Sequence, residues 1–102
     1  MEKGWLQKRC ELCDRVLQLS ILLYGENTKE TAIAYNKCGN AYYLFSNYSQ
    51  AIEYHKKTLE IRKNVFGVKH PKSARSYNNI GHVFSKYVYQ FPEDNKLTDR
   101  RA

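Results

Sequence analysis

The stretch AYNKCGNAY (34–42) is written again, with few changes, as SYNNIGHVF (76–84), 42 positions farther along a chain of 102 residues. Tyr-Asn and Gly recur at the same places in both copies, and apolar residues replace one another between them. The residues that the two copies share are mostly apolar or glycine, so what recurs is a packing scheme. A period of this length indicates a stack of helical repeats.

The correspondence extends outward from both copies. Identical residues stand 42 positions apart at several further places, and conservative apolar pairs fill the gaps between them. The identical pairs are Glu11 and Glu53, Leu17 and Leu59, Gly25 and Gly67, and Ala32 and Ala74. The chain therefore repeats a whole structural unit.

The first helix predicted within one period begins near Thr28, because threonine is a favoured residue at helix N-termini. Spacings of three and four residues place one apolar stripe along this helix. The stripe consists of Ala32, Tyr35, Cys38, Gly39, Tyr42 and Phe45. Ser46-Asn47 is predicted to end the helix.

The second helix of the period is predicted to begin at Asn47, with Gln50 placed to reach back to the cap. Gly67 is a natural left-handed stop, and Pro71 fits the first turn of the next helix. The stripe of this second helix consists of Ala51, Ile52, Tyr54, Leu59, Ile61 and Val65.

Residues 5–24 are predicted to form another helix of this second kind, which ends at Gly25. Its predicted buried stripe consists of Leu12, Val16, Leu19 and Leu23. The chain thus alternates between the two kinds of helix and begins with the second kind.

Small residues at Gly39, Ala51 and Gly81 are predicted to let neighbouring helices approach closely, to about 8–10 Å between axes. Large side chains beside them would fill the remaining space. These are Tyr35, Tyr42 and Tyr77.

The pattern Tyr35-x-x-Cys38-Gly39-x-x-Tyr42, followed by Ala51, resembles the helix-pair signature of tetratricopeptide repeats. The text AIEYHKKTLEIRKNVFGVKHPKSARSYNNIG (51–81) is similar to the 42-residue variant found in kinesin light chains. The resemblance covers roughly residues 9–87. It implies an all-α fold, a tetratricopeptide-like α–α superhelix with about four helices in a right-handed stack of antiparallel pairs.

This resemblance divides the chain into a repeat domain at 5–91 and a polar C-terminal tail at 92–102. The domain would hold a half repeat (5–25), a full repeat (28–67) and a second half repeat (70–91). The sequence departs from the family pattern at three places. His55 replaces a bulky apolar residue, Thr58 replaces alanine, and Ser46 replaces glycine.

The charge and the composition of the chain disfavour several classes of function. The net charge is +7, but the basic residues are scattered, so nucleic-acid binding is not favoured. No apolar run of about 18 residues exists, so no membrane span is predicted. The opening MEKGWLQKRCELCD contains acidic and polar breaks and does not match a secretory signal, which makes the cytoplasm the expected location.

Chemistry-bearing residues are few. His82 and Ser85 form an i, i+3 pair without an orienting acid, and we expect no catalytic activity and no cofactor. Cys10 and Cys13 form a CxxC pair, which leaves open a thiol redox or zinc function. Packing is the favoured interpretation, because the pair lies in an apolar-periodic run and no second ligand pair follows. We therefore expect no bound metal.

The resemblance implies a scaffold or adaptor that binds peptide segments of partner proteins on a concave face lined by the first helices of each pair. The implied partner-binding residues are Ile33, Asn36, Asn40, Tyr43, Leu44, Arg75, Asn78, His82, Ser85 and Lys86. Asparagine amides suit a peptide backbone, and the basic residues suit acidic side chains or a terminal carboxylate. A narrower alternative is a cargo adaptor of a motor protein, like the kinesin light chains.

The two ends of such a stack would expose apolar side chains. One end carries Trp5, Leu6 and Leu12, and the other carries Phe84, Tyr87, Val88 and Tyr89. We therefore expect self-association, or continuation of the stack into a longer array.

Overall fold

Four α-helices follow one another along the chain in a computed structural model that describes residues 2–91. They are α1 (Glu2–Tyr24), α2 (Lys29–Leu44), α3 (Tyr48–Phe66) and α4 (Pro71–Gln90). Each helix packs against the next. The short loops between them turn the chain back, so consecutive helices are antiparallel. This arrangement confirms the predicted all-α, tetratricopeptide-like fold; the tail predicted at 92–102 lies outside the described residues.

The helix ends follow the predicted caps. The Thr28 side chain accepts a hydrogen bond from the Thr31 amide, at 3.2 Å, and Asn47 Oδ1 accepts from the Gln50 amide, at 3.3 Å. Gly67 ends α3 with a positive φ of 99°, which glycine adopts without strain. These three confirmed predictions depend only on local chemistry.

One end was not foreseen in detail. His70 caps α4, because its Nδ1 accepts from the Lys72 amide at 3.1 Å, and Pro71 then occupies the first turn as predicted. Ser46, where the family pattern has glycine, keeps the left-handed conformation with φ of 67°. Backbone hydrogen bonds hold this exposed serine in the turn: the Ser46 amide donates to the Tyr43 carbonyl oxygen and the Asn47 amide to the Tyr42 carbonyl oxygen, each at 2.9 Å.

The core lies between α1, α2 and α3. Of its six buried members among the described residues, three belong to the predicted stripe of α2, one is a further residue of α2, and one comes from each neighbouring helix. They are Leu17, Ala32, Ala34, Tyr35, Cys38 and Ile61, with Cys13, Ile21 and Tyr54 packed against them. Two of the cysteines thus belong to this apolar cluster.

The helices α2 and α3 come into close contact at Gly39 and His55. A Cβ placed on Gly39 would lie 2.7–2.9 Å from three atoms of the His55 ring. Real Cβ atoms do not approach other atoms so closely, so only glycine fits. This contact confirms the predicted close approach, and Ala51, fully buried nearby on α3, fits the same scheme. His55 itself, the departure from the family pattern, is the neighbour that requires the glycine.

Gly81 behaves differently, although it occupies the place of Gly39 in the second copy. Apart from its chain neighbours and the adjoining backbone of α4 itself, no heavy atom of the described residues lies within 4 Å of the Cβ that a larger residue would have there. Tyr77 beside it is 49% exposed. The predicted close contact at these two residues is therefore wrong within one chain, because no helix of the described part packs on that side of α4.

The predicted buried stripe of α1 is also wrong. Its four residues are 54–73% exposed in the structure. They are Leu12, Val16, Leu19 and Leu23. The face of α1 that packs against α2 instead holds Cys10 and Leu17, both buried. The stripe is exposed because none of the helices that the structure describes packs over this side of α1.

The other apolar side chains predicted at the two ends of the stack are exposed to different degrees. Trp5, Phe84 and Tyr89 are exposed, as predicted. Leu6, Tyr87 and Val88, which were grouped with them, are half-buried.

A polar contact ties α1 to both helices of the full repeat. The Asp14 carboxylate accepts hydrogen bonds from the hydroxyls of Tyr42 and Tyr54, each at 2.7 Å. The two rings also contact each other, with centroids 5.4 Å apart. Burial and the bond to the carboxylate raise the pKa of both phenols, so they stay protonated and keep donating.

The two glycines give a matched test of the packing. We expect Gly39→Ala to destabilise the fold by about 1–3 kcal/mol, because its Cβ overlaps the buried His55 ring. Gly81→Ala should instead stabilise it by up to about 1 kcal/mol, the helix propensity of alanine over glycine. Urea unfolding of dilute protein measures both. Equal effects of the two substitutions would contradict the assigned contact, and His55→Ala should reduce the cost of the Gly39 change.

A second prediction concerns pH. His55 is 1% exposed and its Nδ1 has no hydrogen-bond partner among the described residues; burial, and then the charge of Arg62, lower its pKa to about 4. In the unfolded chain its pKa is about 6.5. Between these values the unfolded state binds more protons, so stability should be lost as the pH falls through this window.

The loss should reach up to about 3 kcal/mol, the free energy of a shift of that size. In His55→Leu, the difference between the melting temperatures at pH 7 and pH 4 should be clearly smaller. His82→Gln, at an exposed histidine, is the control and should keep the difference of the unaltered protein. An unchanged difference in His55→Leu would show that other groups cause the acid sensitivity.

Candidate protein-binding surface

The first helices of the two copies, α2 and α4, meet along one side of the molecule. The Asn79 amide donates to Asn36 Oδ1 at 3.2 Å. A second hydrogen bond, of 3.1 Å, joins the Tyr43 hydroxyl and Nε2 of His82. On both helices, the residue in the second bond lies later in the sequence than the residue in the first. The helices α2 and α4 therefore run parallel here. We call the surface that carries these bonds the α2–α4 face.

The predicted binding residues lie on these two helices. Asn36 and Tyr43 are half-buried, and the other eight are exposed. The exposed ones are Ile33, Asn40, Leu44, Arg75, Asn78, His82, Ser85 and Lys86. The structure therefore joins two pairs of side chains across the helices and leaves most of the rest open to a partner; their role in binding stays a prediction.

Aromatic rings hold the centre of the face in place. The Tyr43 ring lies 5.5 Å from the Tyr48 ring and 5.4 Å from the His82 ring, measured between centroids. Contact on two sides, together with the hydroxyl bond, restricts the rotamer of Tyr43. A restricted tyrosine loses little conformational entropy when it binds a partner.

Sequence reasoning missed two residues of this face, Asn79 and Tyr48. Asn79 stands three positions before His82 and thus lies on the same side of α4, a signal that helical spacing could have given. Tyr48 begins α3, and its contact with Tyr43 depends on how the chain turns at Ser46. No helical period predicts a contact across a turn.

Two arginines of α3 and α4, Arg62 and Arg75, lie near each other. Arg62 of α3 is buried and donates to the Ser76 hydroxyl at 3.0 Å and to the Lys72 carbonyl oxygen at 3.3 Å. Burial lowers the pKa of Arg62, and the neighbouring charge of Arg75 lowers it further. An anion bound near Arg75 would offset this repulsion between two guanidinium groups.

The cysteines confirm the packing interpretation. Cys10 and Cys38 are buried, and Cys13 is half-buried against the core. Burial raises the pKa of the Cys10 thiol, and it raises that of Cys38 to about 12. The Cys38 thiol donates to the Cys13 carbonyl oxygen at 3.1 Å. A reactive thiolate is disfavoured in both buried places.

Two further observations concern metal binding and membrane crossing. Within residues 2–91, no group of three or more histidine, cysteine or acidic side chains is arranged to hold a metal ion. None of the four described helices combines the length and the apolar character that crossing a membrane requires.

The thiol chemistry can be tested directly. At neutral pH in the native protein, we expect Cys13 to react first with a thiol reagent, because Cys10 and Cys38 are buried. The two buried thiols should react at least about 100-fold more slowly than in urea, given their low thiolate fraction. Cys13→Ser should remove the fast phase. Rapid native reaction of both Cys10 and Cys13 would instead favour the redox or zinc alternative.

Comparison with known proteins finds similar segments in much longer chains. Clustered mitochondria protein homologs of Homo sapiens and Xenopus tropicalis are each 25% identical to this chain over 80 residues, and the homolog of Danio rerio is 22% identical over 80 residues. In each case the match covers 78% of this chain and 6% of the relative. No solved structure matches the chain. The similarity thus concerns one short segment of those proteins.

A family model gives the wider match. The model is that of the tetratricopeptide repeat, and it matches twice, at residues 6–64 and 46–87. The two matches together cover all four helices almost from end to end. They agree with the all-α arrangement of the four described helices. The protein belongs to the tetratricopeptide repeat family.

Proposed function

We propose that this protein is a non-enzymatic interaction module that binds an extended peptide segment of a partner protein across the α2–α4 face. Tetratricopeptide repeats generally mediate protein–protein interactions. The observation that supports this face is its pair of hydrogen bonds, Asn36 with Asn79 and Tyr43 with His82. They hold polar side chains of two helices in fixed positions on an otherwise open surface.

The amides give the face its affinity for a peptide backbone. The exposed Asn40 and Asn78 each offer donors and an acceptor to the backbone of an extended segment. Asn36 is already oriented by Asn79, so it can accept or donate once more without searching for its rotamer. Such preorganised groups lose less entropy when they bind.

Charge gives the preference for an acidic partner. Arg75 and Lys86 are exposed on α4, and Arg75 lies close enough to the buried Arg62 to lower its pKa. An acidic side chain or a terminal carboxylate would pair with Arg75 and relieve the repulsion. The net charge of +7 would steer such a segment toward the protein.

Apolar contacts lie on α2. Ile33 is 47% exposed and Leu44 is 49% exposed. A segment that combines acidic residues with apolar ones would match both parts of the face. A cargo adaptor of a motor protein, acting in the cytoplasm, is a narrower form of this proposal.

Binding can be measured with short fluorescent peptides. Every peptide of one pool contains aspartate and glutamate residues, and their spacing varies at random. A matched pool carries lysine in their place. We expect the acidic pool alone to raise the fluorescence anisotropy, and the binding to weaken as salt is added. Arg75→Glu and Asn78→Ala should each weaken it by about tenfold or more, or roughly 1.4 kcal/mol.

Lys69→Glu is the control, because it makes the same change of charge in the exposed loop between α3 and α4. It should leave binding nearly unchanged. If it weakens binding as much as Arg75→Glu does, the attraction is a general effect of charge. If neither pool binds, the proposal is wrong.

A further inference from the structure

We propose that the protein assembles head to tail, with α4 of one copy packing against α1 of a second copy as α2 packs against α3 within a copy. Each chain would thus supply one helix to a shared repeat at either end. Apart from Asn78, which lies at the border of both, the proposal uses surfaces other than the α2–α4 face.

The 42-residue correspondence makes α1 the counterpart of α3. The face of α3 that packs against α2 holds Thr58 and Ile61, both buried. The matching residues of α1 are Val16 and Leu19, which are 54% and 57% exposed. Leu12 extends this apolar face and is 61% exposed. Thus α1 carries the surface of a second helix, and no first helix within residues 2–91 covers it.

The opposite deficit is found at α4, the counterpart of α2. Tyr35 and Gly39 of α2 are buried, whereas the matching Tyr77 and Gly81 of α4 are exposed. Glycine within a helix is unfavourable unless a close neighbour requires it. Within one copy, no described residue approaches Gly81. A helix of the second kind packed on this face would supply that neighbour, and α1 of another copy is such a helix.

A groove of about 250 Å³ marks the place on α1 and α2 where the incoming α4 would lie. It is lined by Arg9, Leu12, Cys13, Val16, Ala34 and Lys37. Most of the counterparts of this lining on α3 and α4 are fully buried. The buried ones are Ala51, His55, Thr58 and Ser76.

The hydrogen bond between Asn36 and Asn79 also has a counterpart at the junction. Asn36 accepts from Asn79 within a copy. The residues at the matching positions of the junction are Asn78 of the first copy and Lys37 of the second. A lysine ammonium can donate to an asparagine oxygen, so this pair preserves the bond.

A second groove, also about 250 Å³, lies between α3 and α4 and would receive α1 of the next copy. Its lining includes Ile52, Lys56, Ile80 and Phe84. The matching place between α1 and α2 is filled by Tyr54, whose ring contacts Tyr42 and whose hydroxyl bonds to Asp14.

At the junction, both residues of the Tyr54–Asp14 hydrogen bond are replaced. Leu12 stands in the position of Tyr54, and Lys56 stands in the position of Asp14. The hydroxyl and the carboxylate are therefore both absent, and neither is left unpaired. The lysine stem can lie along the leucine while its ammonium group reaches water.

A second copy matches the groove better than the chain's own next segment does. In the sequence, Glu93, Lys96 and Arg100 stand at the positions of Ala51, Tyr54 and Thr58. Three charged residues cannot replace that apolar face without a large cost. The α1 helix, with Leu12 and Val16 at two of those positions, carries the required pattern.

One mismatch limits the strength of the junction. Arg9 stands where α3 has the fully buried Ala51, so the two helices cannot approach as closely as α2 and α3 do. We therefore expect reversible association, with dissociation constants on the order of 10–100 μM, as for other loosely packed interfaces. Because the two surfaces differ, the contact is heterologous and leaves a free end after each addition.

Sedimentation velocity of the intact chain over a concentration series tests this. We expect the average mass to rise from 12.0 kDa at low concentration and to continue beyond the dimer. Leu12→Glu blocks the α1 surface, and Phe84→Glu blocks the α4 surface. Each variant alone should stay a monomer, because each has lost one of the two surfaces needed for a junction.

The decisive sample is an equimolar mixture of these two variants. The intact α4 surface of Leu12→Glu and the intact α1 surface of Phe84→Glu can form one junction, so the mixture should give dimers that grow no further. Leu22→Glu is the control: it changes a residue of α1 that is 81% exposed and lies off the Leu12 face, and it should assemble as the unaltered protein does.

Several results would overturn the proposal. They are a monomer at about 300 μM, well above the expected range of dissociation constants, a wild-type dimer that grows no further, and a mixture that stays monomeric. Helicity by circular dichroism checks that each variant is folded. If Phe84→Glu loses helicity, Gly81→Leu takes its place, because the described part of the chain leaves open space at Gly81.

Discussion

The contact between Gly39 and the His55 ring sets the distance between α2 and α3, and the other packing of the repeat depends on it. A Cβ at residue 39 would lie within 2.7–2.9 Å of the ring, so the two helices are as close as this pair of residues allows. At that distance Tyr54 reaches both Tyr42 and Asp14, and α1 is thereby joined to the full repeat. Neither residue can change in size without a compensating change in the other.

The sequence alone predicts well those features that local chemistry determines. Thr28, Asn47 and Gly67 mark helix ends through bonds to the nearest amides or through a single backbone angle. The stripe of α2 is also predicted, because α2 packs against both α1 and α3 and the residues of the stripe are buried or half-buried. The same method fails for Leu12 and Val16, since a helical period shows that a face is apolar but not whether a helix covers it.

The candidate surface, too, could be predicted from the sequence only in part. Spacing from Tyr35 and Gly39 predicts which side chains of α2 and α4 point away from the core, and the structure leaves most of them exposed. It does not predict Asn79 or Tyr48, because their contacts depend on the distance between two parallel helices and on a turn. His55 appeared to be a departure from the family pattern, and in the structure it explains why residue 39 is glycine.

The parallel contact of α2 and α4 has a mechanical consequence. Apart from α3, which packs against both helices, the two bonds Asn36–Asn79 and Tyr43–His82 are direct links between successive copies of the repeat unit. The angle between the copies, and hence the curvature of the stack, can change by breaking or bending these few bonds while both helices stay intact. A segment bound across them would act as a brace, so the bound protein would resist bending more than the free one.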